Sequence, residues 1–245
     1  MPEIQTLTTP LDVANAAALD AIATLSIAIE ERGQAVWVLA GGGSPMAAYE
    51  QVASEYSDML DWSKVTALIG DERSVPANDP ESNWGQISSI LFVAGRTASM
   101  TQVQPETELP AEEAALRYQA ALQALPLTED GIPYFDLVWL GVGEDGHTLS
   151  LFPKHTDFTP AERLVTPVYD APKPPATRIT LTLRALEATS RAVIFAVGAS
   201  KKAALAEALE LGQLPIARAA SCIEQRGGYV TWLFDQAATT SDTPE

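Results

Sequence analysis

Cysteine and histidine are scarce in this sequence, and each scarcity excludes something. A single cysteine, Cys222, cannot close an internal disulfide, so nothing in the 245 residues asks for an oxidising compartment. The two histidines, His147 and His155, have no ligand partner at a recognised metal-binding spacing, which argues against a metal site. Basic residues are also few: 15 Lys and Arg against 32 Asp and Glu leave a net charge of −17, poorly suited to nucleic acid or an acidic membrane surface. No basic segment leads into a hydrophobic stretch at the N-terminus, and the first long apolar segment, from Leu11 to Ile29, is broken by Asp12, Asn15 and Asp20. The expectation is a cytoplasmic protein with neither nucleic acid nor membrane as a partner.

What is present is apolar sequence in short runs that alternate with longer amphipathic segments, the pattern of an α/β fold with a mostly parallel central sheet flanked by helices, doubly wound. Helix is expected over Pro10 to Arg32, stopped by Gly33, then strand over Ala35 to Ala40. Ser44 is expected to cap the next helix, with Pro45 at its first position. Further strands are expected at Val65–Ile69, near Met100–Val103, and at Phe135–Leu140, Arg178–Leu183, Ala192–Val197 and Tyr229–Phe234. Helices are expected from near Asn83, over Pro110–Leu125 and over Ser200–Leu211. The segment from Gly70 to Glu81 reads as a loop, and the proline-rich stretch after Gly141 as a long irregular connection. No linker separates two cores, so residues 1–236 are expected to be one domain and 237–245 a fraying tail.

In open α/β sheets ligands bind beyond the carboxyl ends of the strands, which directs attention to four segments. Gly41-Gly42-Gly43-Ser44-Pro45 is either a phosphate cradle at a helix N-terminus or a tight strand-to-helix turn; it lacks the lysine of a P-loop. Asp71-Glu72-Arg73 concentrates three charges where a buried strand emerges. The run from Gly141 to Gly146 formally contains G-x-G-x-x-G, but neither a helix nor a distant acid ending a second strand follows, so a dinucleotide is not expected. His147 follows that run and can accept a proton near neutrality, with Asp145 two residues earlier, while His155 reads as a surface residue. Lys201 and Lys202 fall in the first turn of a helix, where cations oppose the dipole, so a nearby anion is expected to compensate; Arg178 is a weaker candidate of the same kind.

In this order the segments resemble the glucosamine-6-phosphate isomerase/6-phosphogluconolactonase family. The resemblance rests on Gly42-Gly43-Ser44-Pro45; Asp71-Glu72-Arg73 with Val75-Pro76 and Ser82-Asn83; Gly141 to His147 with Ser150-Leu151-Phe152-Pro153; Lys173-Pro174-Pro175 with Arg178; and Gly198 with Lys201. The deaminase branch carries a glutamate five residues after the histidine, where this chain has Phe152, and typically a tyrosine where it has Arg73, so the lactonase branch fits better. Leu149 and Lys154 depart from the alanine and glycine usual in the family. The resemblance implies hydrolysis of 6-phospho-D-glucono-1,5-lactone to 6-phospho-D-gluconate in the oxidative pentose phosphate pathway, with no metal, no organic cofactor and a small phosphorylated sugar lactone as partner. His147 would take a proton from water and return it to the leaving oxygen, with Asp145 orienting the ring. Arg73 would serve either the oxyanion or the phosphate, and Gly42, Gly43, Ser44, Asp71, Lys201 and Arg178 would hold the substrate. Two rivals stand beside this reading: a deaminase or isomerase of the same family, and a non-catalytic sugar-phosphate sensor, whose DNA-binding module the −17 charge disfavours.

Overall fold

The computed structural model describes residues 3–93, 95–154 and 162–239. Strand β1 (Glu3–Leu7) leads into helix α1 (Pro10–Arg32), whose start is fixed by a capping box: the Thr9 hydroxyl accepts from the Asp12 amide while the Asp12 carboxylate accepts from the Thr9 amide. Gly33 ends α1 at φ 75°, a left-handed conformation, and donates its N–H to the Ile29 carbonyl. By length and composition α1 could cross a membrane, yet Val13, Ala17, Ala18, Ala21 and Leu25 are fully buried, as in a core helix.

The chain continues through β2 (Ala35–Leu39), α2 (Gly43–Ser54), β3 (Val65–Ile69), β4 (Asp71–Arg73), α3 (Asn83–Leu91), β5 (Thr101–Val103) and α4 (Ala111–Leu122). It returns through β6 (Phe135–Gly141), β7 (Val165–Val168), β8 (Arg178–Leu181), α5 (Leu183–Leu186), β9 (Thr189–Ala196), α6 (Lys202–Leu211), α7 (Pro215–Gln225), β10 (Tyr229–Asp235) and α8 (Gln236–Thr239). Seven strands form one sheet in the order β1-β10-β9-β6-β2-β3-β5, and every pairing in it is parallel. The parallel α/β expectation holds. Both faces of β2 and most of β6 are buried, which is why their sequences run apolar without alternation. Trp37, Tyr49, Trp139 and Phe195 pack ring against ring at centroid distances of 4.8–5.8 Å in the middle of this core.

From β2 the chain moves outward through β3 to β5, then returns to the other side of β2 through β6, β9 and β10. The order therefore reverses between β2 and β6, and the loops leaving these neighbours diverge to opposite sides and open a crevice. Two buried tyrosines fasten the strand ends beside it. Tyr49 accepts from the Ala40 amide at 2.9 Å and donates to its carbonyl at 3.1 Å; Tyr118 does the same for Ile69 at 3.1 and 2.6 Å. Burial raises both phenol pKa values, so each stays a neutral donor. Tyr118→Phe leaves the Ile69 amide and carbonyl without this partner and should cost about 1–3 kcal/mol of stability, read as a lowered urea midpoint. An unchanged midpoint would show that the clamp is dispensable.

Several expectations are corrected. Asp71–Arg73 is a strand inside the expected loop, and Val165–Val168 is another inside the expected irregular connection. Together with β8 they form a separate antiparallel sheet, β4-β8-β7, so Arg178 does not start a strand of the main sheet. Strand β1 and helix α7 were not anticipated. Ser44 is not a cap: α2 begins two residues before Pro45, at Gly43, and is capped by Gly42 at φ 96°, where glycine alone is free of strain. Gln236–Thr239 is a short helix with Ala238 buried, so order extends past 236; residues 240–245 and His155 lie outside the described residues.

Candidate active site

The ends of β3, β2, β6 and β9, neighbours at the switch point, surround a cleft of about 280 Å³. Gly42, Gly43, Ser44, Asp71, Arg73, His147, Arg178 and Lys201 all line it, although they span 160 positions of sequence. Asp145 does not line it and reaches it through His147.

On one wall the first turn of α2 points its N–H groups out of the helix. The amides of Gly43 and Ser44 have no acceptor one turn back, and the positive end of the helix dipole lies with them. A Cβ on Gly41 would stand 2.1 Å from the Asn83 side-chain oxygen, so the missing side chain lets Asn83 close over the backbone. Asn83 in turn donates to the Asp71 carbonyl at 3.0 Å. Lys201 lines the same cleft, ending a 3-10 turn (Ala199–Lys201) immediately before α6. Burial lowers its pKa, partly offset by Glu144 and Asp145 and reinforced by Lys173.

His147 sits in a turn closed by the Gly143 amide donating to the His147 carbonyl at 2.8 Å. A methyl group on Gly143 would fall 1.9 Å from the imidazole Nδ1, so only glycine admits the ring in this orientation. Asp145 Oδ1 is hydrogen-bonded to Nδ1. Burial raises the Asp145 pKa, but the bond and charge of His147 outweigh it and hold the carboxyl below its usual range. Being ionised it can only accept, so Nδ1 carries the proton and Nε2 keeps its lone pair. The Phe152 ring lies 4.6 Å from the imidazole centroid. Burial depresses the His147 pKa below 6.5; the hydrogen bond and charge of Asp145 work against that, the charge of Lys173 adds to it and that of Asp71 opposes it. The ring is therefore neutral at pH 7.

The acidic cluster after β3 divides into two tasks. Glu72 is buried and accepts from the amides of Arg73, Asn83 and Trp84 and from the Ser82 hydroxyl, all within 3.0 Å, so it fastens the start of α3. Asp71 accepts from the Ser150 hydroxyl at 2.5 Å and stands 4.0 Å from an Arg178 nitrogen. Arg73 donates to the Glu81 carbonyl at 2.6 Å while its guanidinium lines the cleft. Arg178 behaves differently from its neighbours: Nε and one terminal nitrogen donate to the carbonyls of Pro175 and Lys173 at 3.1 and 3.0 Å, and its face lies over Phe152.

Leu149 and Lys154, the two departures from the family pattern, both adopt left-handed conformations, φ 54° and 64°. The loop keeps a glycine-like path at a cost in strain. Leu149 finds room because Gly70 has no side chain: its Cδ2 lies 2.6 Å from where a Gly70 Cβ would be. Sequence reasoning gave no role to Lys173, Glu144 or Leu149, which also line the cleft. A lone lysine among prolines at a hairpin tip was the signal available for the first. Among the described residues no three His, Cys, Asp or Glu side chains stand together as a metal set.

A model of the family described as glucosamine-6-phosphate isomerases/6-phosphogluconolactonase matches residues 8–232. A 6-phosphogluconolactonase of Streptomyces coelicolor is 35% identical over 238 residues, covering 93% of this chain and 90% of that protein. The human 6-phosphogluconolactonase is 39% identical over 168 residues, 69% of this chain but only 64% of the human protein, less than two thirds of its length. The crystal structure of a 6-phosphogluconolactonase from Shewanella baltica, 26% identical, superposes with a TM-score of 0.84, covering 96% of this chain and 98% of the other.

Proposed function

The chain belongs to the glucosamine-6-phosphate isomerase/6-phosphogluconolactonase family, and we propose that it hydrolyses 6-phospho-D-glucono-1,5-lactone to 6-phospho-D-gluconate in the cytoplasm. The observation that carries this reading is the neutral His147, with its lone pair on Nε2, in a cleft lined by four cations of a protein with net charge −17.

Lactone hydrolysis needs an activated water, a stabilised oxyanion and a proton for the ring oxygen. Nε2 of His147 takes a proton from water as the water oxygen bonds to the lactone carbon, and the carbonyl electron pair moves onto oxygen. When the tetrahedral intermediate collapses, the bond to the ring oxygen breaks and that oxygen takes the proton back from the imidazolium. Asp145 holds the ring and its tautomer throughout. The α2 amides, the Ser44 hydroxyl and Lys201 hold the phosphate, Asp71 a sugar hydroxyl, and Arg73 the phosphate or the oxyanion. Phe152, fully buried against the imidazole, occupies the position of the deaminase glutamate and leaves no carboxylate there for that chemistry.

The test is lactone hydrolysis measured above the spontaneous rate, beside ammonia release from glucosamine 6-phosphate. Hydrolysis without ammonia is expected, and the reverse would move the protein to the deaminase branch. Exhaustive dialysis against a strong chelator should leave the rate unchanged, because base and cations are all side chains. Loss of rate restored by one divalent ion would overturn that assignment.

A further inference from the structure

Arg178 lines the cleft, yet two of its three nitrogens donate to backbone carbonyls of a hairpin tip, while the third stands 4.0 Å from Asp71. The β7–β8 hairpin pairs Val168 with Arg178, and of its tip, residues 169–177, Lys173 lines the cleft. Nε donates to the Pro175 carbonyl, and one terminal nitrogen is shared between the carbonyls of Lys173 and Pro174 at 3.0 and 3.4 Å. Arg178 is itself buried, held under the tip by the Phe152 face and by Asp71. A planar fork binding three consecutive carbonyls fixes the path of the backbone that carries Lys173. The exposed Lys173 side chain is thereby presented at the mouth, and its charge is felt both at His147 and at Lys201. It lines the same cleft as His147 and as Lys201, the cation assigned to the phosphate, and the lactone carbonyl must enter this cleft if Nε2 is to activate water against it. Arg73, by contrast, is drawn towards Glu81.

Resting on the lactonase reading, we propose that Lys173 supplies the positive charge that meets the developing lactone oxyanion, and that Arg178 is a positioning residue that holds the hairpin tip in place for it. As the water oxygen bonds to carbon, the carbonyl pair settles on oxygen beside the Lys173 ammonium. No proton need leave the lysine, and the charge is released when the carbonyl re-forms.

The test is steady-state kinetics of Lys173→Ala, Lys173→Arg and Arg178→Lys with the phosphorylated and the unphosphorylated lactone. Lys173→Ala should lower kcat about 10-fold with both substrates, the lower end for one charge-assisted contact, since the contact is to the carbonyl and not the phosphate. Lys173→Arg should recover part of it. The charge of Lys173 lowers the imidazole pKa while those of Asp145 and Asp71 raise it, so losing Lys173 raises it and should move the acid limb of kcat/KM to higher pH. Arg178→Lys, unable to span the carbonyls, should reproduce the kcat loss and add nothing in combination with Lys173→Ala. A loss confined to the phosphorylated lactone, a change in KM alone, or an unchanged kcat overturns the assignment of Lys173. A normal kcat for a folded Arg178→Lys overturns the positioning role; should that variant not fold, the acid limb and the Lys173→Arg recovery decide. Wild-type protein that fails to exceed spontaneous hydrolysis refutes the lactonase reading itself, an outcome distinct from all of these.

Discussion

Replacing His147 with asparagine is expected to lower kcat by ~10²–10⁴ with little change in substrate binding, the range for losing a general base. Asparagine can keep a hydrogen bond to Asp145 but has no nitrogen that accepts a proton at pH 7, so the comparison removes the chemistry and retains the shape. Activity near that of wild type would sink the assignment. The pH dependence of the wild type supplies a second reading of the same group. Burial depresses the His147 pKa below 6.5, and the base is the unprotonated form. The ratio kcat/KM should then be level near neutrality and fall only as the pH drops through that depressed value. A profile that falls with its midpoint above 6.5 would mean that Asp145 outweighs burial.

Lys201→Ala is expected to lower kcat/KM for the phosphorylated lactone by about 10- to 150-fold, since a hydrogen bond to a charged group contributes roughly 1.5–3 kcal/mol and 1.4 kcal/mol is tenfold. The phosphate is remote from the breaking bond and serves to hold and orient the substrate. The unphosphorylated lactone lacks the partner and should be little affected. Equal losses with both substrates would remove Lys201 from the phosphate site. The first turn of α2 remains in either variant, so some preference for the phosphorylated substrate should survive.

The inner strands could be read because burial on both faces leaves unbroken apolar runs, as in Ala35–Leu39 and Phe135–Leu140. Strand β1 shows no such run, since all but one of its five residues are exposed. The small sheet was hidden for two reasons: β4 is three charged residues, too short for any period, and β7 carries Pro167, tolerated only because β7 is an edge. Helix α7, by contrast, carried a readable signal that was passed over: Pro215 at its first position, and Ile216, Ala219, Ala220 and Ile223 on one face against Arg218, Ser221 and Glu224 on the other. Much of the candidate site was legible from position at strand ends. The direction in which Arg178 points was not, because its partners are backbone carbonyls and any sequence provides those.

Strand β1 also bears on how the chain is made. Glu3 to Leu7 pair with Thr231 to Asp235, and the Thr231 hydroxyl donates to Glu3 across a separation of 228 residues. A nascent chain can assemble β2, β3 and β5 early, but its first strand has no neighbour until the last one has left the ribosome. Until then residues 3–7 must wait unpaired, and the exposed flank of β9 remains open to any other extended segment. Closing a loop of that size adds little to the free-energy cost, which grows only with the logarithm of length, but it delays completion of the sheet until β10 has been made.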